Sequence, residues 1–496
     1  MGSIKVFFKK RSTLIAMVAT VLSGLLIHMY KFVNHLPNWD SMYLIKASIR
    51  GMSHTGRWLS GPLANTISSE YSLPWVVALL SLLFLSLSVA LLTDLFEIEK
   101  PLYIVLASVL LTSFPAVTAT FAYMEWADVY FLSFLLGILA VYISVRGRRT
   151  LLLSGLLISL SMGIYQVYLS TAIIVFLLYI FKRYLLDEEH FVNLLRVIRK
   201  FSLSVIIGGI VYFVVNKLNL TFWGLELSNY QGVNSVGLLD AEGYVQAFVK
   251  TFKTLGLLFM GSKEFSFYLL LNAIFLVLLI LLTFIVILMN RFKIGKLIGL
   301  VFFGLALFVA THIYYYVSES VQYHTLMMIN SYFIYFLAVL MLTKLKIRIP
   351  KVIVYTVIPV FALLSYHNFV NANIAYTQMQ MSYEKSYFTA NEIMNRMDAL
   401  NDGSIHEIYI YGKAQKESDN IKTLPVIMGA SSDAFLSFED HYVRFFNYYL
   451  GRPYEIADEE KKAQIRKSTD FKKMNAYPYG DYVKVIDHTM VVRLSK

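Results

Sequence analysis

Eleven apolar runs divide this chain, at about 13–33, 73–96, 102–120, 128–145, 151–164, 167–181, 201–217, 266–290, 297–317, 323–343 and 352–370. Most are long enough to cross roughly 30 Å of hydrocarbon as a helix rising about 1.5 Å per residue. Lipid offers no partner to a backbone N–H or C=O, so a spanning segment must satisfy its own backbone, and a run of this length does so as a helix. A polytopic α-helical membrane protein with about eleven transmembrane helices is therefore expected. Composition agrees: 57% of the 496 residues are hydrophobic, 15% are charged and the mean hydropathy is +0.59, outside the range of soluble globular chains. The runs at 151–164 and 167–181 are short for full crossings, and they could form one hairpin dipping partway into the bilayer with Tyr165-Gln166 at its tip. Lys9-Lys10-Arg11 precedes a first run of full spanning length, which reads as a retained helix rather than a cleaved leader.

The net charge of +12 would suit a nucleic-acid partner, but the lysines and arginines lie between the apolar runs, where they orient helices. Twenty fall in one set of connections, including Lys9-Lys10-Arg11, Arg148-Arg149, Lys182-Arg183 and Arg199-Lys200, against seven in the opposite set. That asymmetry places the N-terminus in the cytoplasm. An odd number of spans then leaves the loop Asn34 to Ser72, the 218–265 loop and the C-terminal tail outside. The chain has no cysteine, which excludes disulfides and thiolate metal sites.

The tail changes character, so the expected division is a membrane domain over 1–370 and an extracytoplasmic soluble α/β domain over 371–496. Tyr376 to Leu400 reads as a polar amphipathic helix, His406 to Tyr411 alternates as a strand before Gly412, and Val483 to Leu494 reads as two strands broken at Asp487-His488.

Ionisable groups at the ends of spans are costly and are functional candidates. Three acids stand out: Asp40 just after the first run, and Glu125 and Asp128, three apart on one helical face at the start of the fourth. Each could act as general base toward a hydroxyl or help to hold a divalent cation. Turn formation and N-capping are the structural alternatives for all three. Arg57, between Gly56 and Trp58, presents a planar fork of donors suited to a phosphate, and Lys46 and Arg50 could extend an anion patch or simply meet lipid headgroups. Trp39, Trp58, Tyr165 and Gln166 offer stacking and hydrogen bonds to a sugar, although Tyr165-Gln166 could equally serve helix ends. A further polar and aromatic cluster runs from His312 through Tyr314, Tyr315, Tyr316, Glu319 and Gln322 to His324, and an interfacial aromatic belt is its commoner explanation. The histidines lack metal-ligand spacing, so no metal site and no cofactor are expected.

Asn38-Trp39-Asp40, Gly56-Arg57-Trp58, the outer acid Asp128 near Tyr123, and Tyr165-Gln166 between short spans occur in an order that resembles the serotype-converting glucosyltransferase (Gtr type II) family, polytopic enzymes of the GT-C class. The resemblance covers most of the membrane portion. It implies transfer of glucose or another hexose from a polyprenyl-phosphate carrier to a cell-envelope polysaccharide at the outer face of a bacterial plasma membrane. Under it, Arg57 with Lys46 or Arg50 neutralises the leaving phosphate, Asp40 activates the acceptor for inverting displacement, and Asp128 with Glu125 orients the acceptor. Two carboxylates could also recruit a divalent cation, as some GT-C enzymes do. A lipid-linked sugar flippase or transporter, or a polysaccharide polymerase, is the alternative. Transporters favour internal repeats and charges inside spans, whereas these acids sit at span ends.

Overall fold

A computed structural model describes residues 2–38, 40, 52–68, 71, 73–147, 149–261, 266–344, 351–401, 403–413, 427–430, 436 and 438–495. In chain order its first helices are α1 (Gly2–Lys9), α2 (Arg11–Val33), α3 (Ser60–Ile67), α4 (Pro74–Leu95), α5 (Pro101–Thr112), α6 (Pro115–Ala122), α7 (Met124–Arg146) and α8 (Leu151–Ile164). There follow α9 (Leu169–Phe181), α10 (Phe191–Trp223), α11 (Ala241–Met260), α12 (Ser266–Met289), α13 (Ile294–Thr311), α14 (Tyr332–Lys344) and α15 (Lys351–Asp398). Among the described residues, nine helical segments are long and apolar enough to cross a membrane, and the bent pair α5 and α6 would make ten. The protein is a polytopic helical membrane protein.

Each departure from the eleven expected runs has a local cause. The third is broken by 43° between α5 and α6. Pro115 donates no backbone N–H and drives Phe114 to an extended conformation (φ −62°, ψ 135°), so the helix restarts there. The fifth, α8, has 14 residues and is too short to cross alone. The sixth is longer than expected, because the segment Gln166–Leu186 continues through Lys182 and Arg183. The seventh extends to 33 residues in α10, and the last to 48 residues in α15, with Pro359 inside it. Charged and amide side chains ended those apolar runs without ending the helices, since most such residues propagate a helix well.

The chain clusters into two compact units, the first comprising 1–33, 46–373 and 424–428 and the second 34–45, 374–423 and 429–496. In the first, α2 packs against α4 and α5, α4 against α7, and α8 against both α7 and α10. Small residues permit the closest of these crossings: a Cβ on Gly208 of α10 would lie 2.7 Å from the Gly155 carbonyl oxygen of α8. The basic ends of the helices are tied down locally. Asp94, buried at the end of α4, meets Lys10 at 2.5 Å and Arg146 at 2.7 Å and accepts from the Tyr142 hydroxyl at 2.6 Å. Lys200 of α10 donates to the Ser144 carbonyl (2.6 Å) and to the Gly147 carbonyl, capping the C-terminus of α7.

The second unit is α/β. Its sheet comprises β1 (Glu407–Tyr411), β2 (Glu455–Ile456), β3 (Val483–Ile486) and β4 (Thr489–Arg493), in the order β2-β1-β4-β3. β1 runs parallel to both neighbours, and β3 and β4 form an antiparallel hairpin turned by Asp487 and His488, both at positive φ. Alternation sorts the strands onto two cores. Ile408, Ile410, Met490 and Val492 face the end of α15 and α16 (Glu439–Tyr449), whereas Tyr409 and Val491 face α17 (Glu459–Lys467) and α18 (Thr469–Lys473). On α15 the contributing residues Ala390, Ile393, Met394 and Met397 follow helical spacing.

The α8/α10 crossing gives a direct test. Gly208→Leu would force two backbones apart and should cost about 2 kcal/mol, read as a lowered melting temperature in detergent. Gly209→Ala is the control, because a Cβ there meets nothing within 4 Å.

Candidate functional site

Within the first unit, residues 52–59 form a tight loop leading into α3, and several of its backbone groups are held by hydrogen bonds. Gly56 has φ +75°, a left-handed conformation open to glycine. Its carbonyl accepts from the Tyr212 hydroxyl at 3.1 Å, and Gln166 Nε2 donates to the Thr55 carbonyl at 2.9 Å and to the Tyr212 hydroxyl at 3.0 Å. On the other side the Leu59 N–H donates to the Gly163 carbonyl at 2.9 Å, and Trp58 lies so close to Gly163 that a Cβ there would sit 2.5 Å from the indole. The His54 carbonyl accepts from the Ser228 N–H at 2.8 Å, joining this loop to the one after α10.

This frame holds Arg57. Its guanidinium lies over the Tyr165 ring at 4.2 Å and donates to the Tyr130 hydroxyl at 3.1 Å, while Tyr130 and Tyr165 stack on each other at 4.9 Å. The side chain is half-buried and its Nε is enclosed with no hydrogen-bond partner. Among the described residues no carboxylate pairs with it. Burial opposes the charge, and the oxygens of Tyr130, Tyr165, Tyr230 and Tyr212 around it more than offset that, so its pKa is raised and it stays cationic.

Arg57 lines a cavity of about 350 Å³ shared with Tyr165, Gln166, Tyr212, Asn216 and Tyr314. Most of the remaining wall is apolar: Met162, Val205, Phe213, Val233, Val317 and others. Among the described residues its lining includes no acid. The arrangement joins a cation with no carboxylate partner among the described residues to a volume walled largely by apolar side chains, which suits an anionic headgroup bearing an apolar chain.

Residues 29–342 match the family described as glucosyl transferase GtrII. The chain belongs to that family. It is a glycosyltransferase of the membrane-embedded kind, and no curated protein and no solved structure matches it otherwise.

The GtrII candidates named from the sequence separate on inspection. Arg57, Tyr165 and Gln166 come together at the cavity, whereas Trp58 braces the loop against α8 and is absent from the lining. Glu125 and Asp128 are buried in the first turns of α7 and do not line the cavity; Glu125 interacts electrostatically with the buried Lys31 of α2, and Asp128 Oδ1 accepts from the Val129 N–H at 2.9 Å. Asp40 is exposed and belongs to the second unit, and its N–H donates to Asn38 Oδ1 at 3.0 Å. Trp39, Lys46 and Arg50 lie outside the described residues.

Tyr130, Tyr212, Asn216 and Gly163 were not singled out from the sequence. The two tyrosines and Asn216 lie inside apolar runs, where a lone polar group in a span was the available signal. In the polar cluster after α13, His312, Tyr314 and Tyr315 are buried whereas Glu319 and Gln322 are exposed; His312 stacks on Tyr315 at 5.6 Å, and His324 Nε2 pairs with the Tyr123 hydroxyl at 3.0 Å. Burial lowers the His312 pKa to about 3, and burial with the Arg57 charge lowers that of His324 to about 4.

Two outcomes follow from this geometry. In Gly56→Ala the new Cβ would lie 2.7 Å from both Gln166 Nε2 and the Tyr212 oxygen. With the left-handed backbone this should cost about 2 kcal/mol locally and lower glycosyl transfer at least tenfold, measured with the purified enzyme. The histidines make a pH prediction: folded pKa values below the ordinary 6.5 mean that the neutral forms stabilise the fold above pH 6.5 and that this is lost as pH falls toward 4 and 3. The melting temperature should decline over that window, and His312→Leu should flatten the decline.

Proposed function

We propose that this protein moves a hexose, glucose in the first instance, from a polyprenyl-phosphate carrier to a cell-envelope polysaccharide at the outer face of a bacterial plasma membrane. One observation carries the reading: Arg57, without an ion-pair partner among the described residues, stands in the wall of a largely apolar cavity. A phosphate supplies the missing counter-charge through charge-assisted hydrogen bonds, and a polyprenyl chain suits the hydrocarbon walls.

In the proposed reaction the acceptor hydroxyl oxygen attacks the anomeric carbon as its bond to the phosphate oxygen breaks, with inversion. The electron pair leaves with polyprenyl phosphate, whose growing negative charge Arg57 meets in a site partly shielded from water. Lys46 and Arg50 reinforce that field. The hydroxyl proton passes to a carboxylate, for which Asp40 is the first candidate and Asp128 the second. Trp39, Tyr165 and Gln166 are assigned to the sugars, and Trp58, which braces the loop, is not. The scheme itself uses no metal, and a divalent cation on the carboxylates would add to the neutralisation of the phosphate.

The test is reconstitution with undecaprenyl phosphate glucose and an acceptor glycan. Arg57→Gln should lower kcat/KM about a hundredfold, near 3 kcal/mol. Removing the base should lower kcat by about 10² to 10⁴, and comparing Asp40→Asn with Asp128→Asn assigns it. Movement of the lipid across vesicles without a new glycosidic bond would make the protein a transporter and sink the reading.

A further inference from the structure

Along α10 the cavity is polarised. Val205, Gly209, Tyr212, Phe213 and Asn216 all line it, at spacings that keep them on one face of the helix. At the level of Tyr212 stands the Arg57 loop, joined through the hydrogen bond to the Gly56 carbonyl. Toward the helix N-terminus the residues of α10 in the wall are Val205 and Gly209, and the space beside Gly209 is open. Four residues beyond Tyr212, about 6 Å along the axis, is Asn216, and the loops after α10 and α13 add Gln231 and Ser318 among the apolar Leu227, Val233, Val236, Val317 and Val321.

Asn216 is 5% exposed, and its Oδ1 is enclosed with no protein donor reaching it. A buried carbonyl oxygen left unpaired costs about 1–3 kcal/mol, an expense that a packing role would avoid with leucine. The loops that form this end are fastened independently of Asn216: the Gln322 N–H donates to Gln231 Oε1 at 2.7 Å, the Gly237 N–H to the Val317 carbonyl at 3.0 Å, and the Ser318 hydroxyl to the Gly232 carbonyl at 3.2 Å. The amide is therefore not needed to hold them.

We propose that this end of the cavity is the donor-sugar subsite, with Asn216 Oδ1 accepting a hydrogen bond from a hydroxyl of the hexose. The order along α10, hydrocarbon wall then cation then unpaired amide, matches the order tail, phosphate, sugar in a polyprenyl-phosphate hexose. The assignment rests on the lipid-phosphate reading of Arg57 and adds the direction in which the ligand lies. It also makes Asn216 a selectivity residue, since a site built to accept a hydroxyl proton discriminates against ligands that lack one.

The experiment measures binding of undecaprenyl phosphate and undecaprenyl phosphate glucose to the full-length protein in detergent. The wild type should bind the glucosylated carrier about tenfold more tightly. Asn216→Leu should abolish that difference, leave affinity for the bare carrier unchanged, and melt at or above the wild-type temperature. Should the leucine variant fail to fold, Asn216→Ser, which withdraws the amide without adding bulk, reads the same difference. Retention of the tenfold preference in a folded variant overturns the subsite while the phosphate reading stands. Equal binding of the bare carrier by wild type and Arg57→Gln overturns the phosphate reading, and the subsite with it.

Discussion

A guanidinium cannot be left without compensation in an apolar wall, and the loop around Arg57 is organised by that requirement. The charge lies on the Tyr165 ring, donates to Tyr130, and is carried by a backbone that Gln166 and Tyr212 hold from below. These contacts come from α7, from the break between α8 and α9, and from α10. The short α8 is part of the same solution. Because it ends at Ile164, the chain opens at Tyr165-Gln166 at the depth where the loop arrives, and Gly163 admits the Trp58 ring.

The helices that supply these groups are held from their other ends. Asp94 gathers Lys10 and Arg146, and Lys200 closes the C-terminus of α7, so α4, α7 and α10 are fixed by charge and capping at the basic side. The crossing at Gly155 and Gly208 then brings α8 and α10 close enough for Gln166 to reach Tyr212. Packing by small residues, which in lipid takes the place of a hydrophobic drive between helices, thereby sets the geometry of the anion site. The cluster of His312, Tyr314 and Tyr315, which resembled an interfacial belt, serves as interior packing, with Tyr314 at the cavity wall.

The class of the protein was legible from hydropathy because lipid makes each span satisfy its backbone locally, and local information is what a sequence displays. Helix length was less legible. α10 and α15 outrun their apolar stretches, since hydropathy reports contact with lipid while helicity tolerates Arg196, Lys200 or Asn371 equally well. In the tail, the β3/β4 hairpin was visible from alternation interrupted at Asp487-His488. The parallel pairing of β1 with β4 was not, because its partners are far apart in the chain.

The candidate site divides in the same way. Residue type and position in the sequence were enough to single out Arg57, Tyr165 and Gln166, because a cation and hydrogen-bonding groups beside apolar runs are costly and so conspicuous. Only the tertiary structure decided that these three share one cavity, that Glu125 and Asp128 do not line it, and that Trp58 braces a loop. It alone brought in Tyr130, Tyr212 and Asn216, whose significance lies in what they face across helices. Those partners lie 46 to 156 residues apart along the chain, a separation over which hydropathy and spacing carry no information.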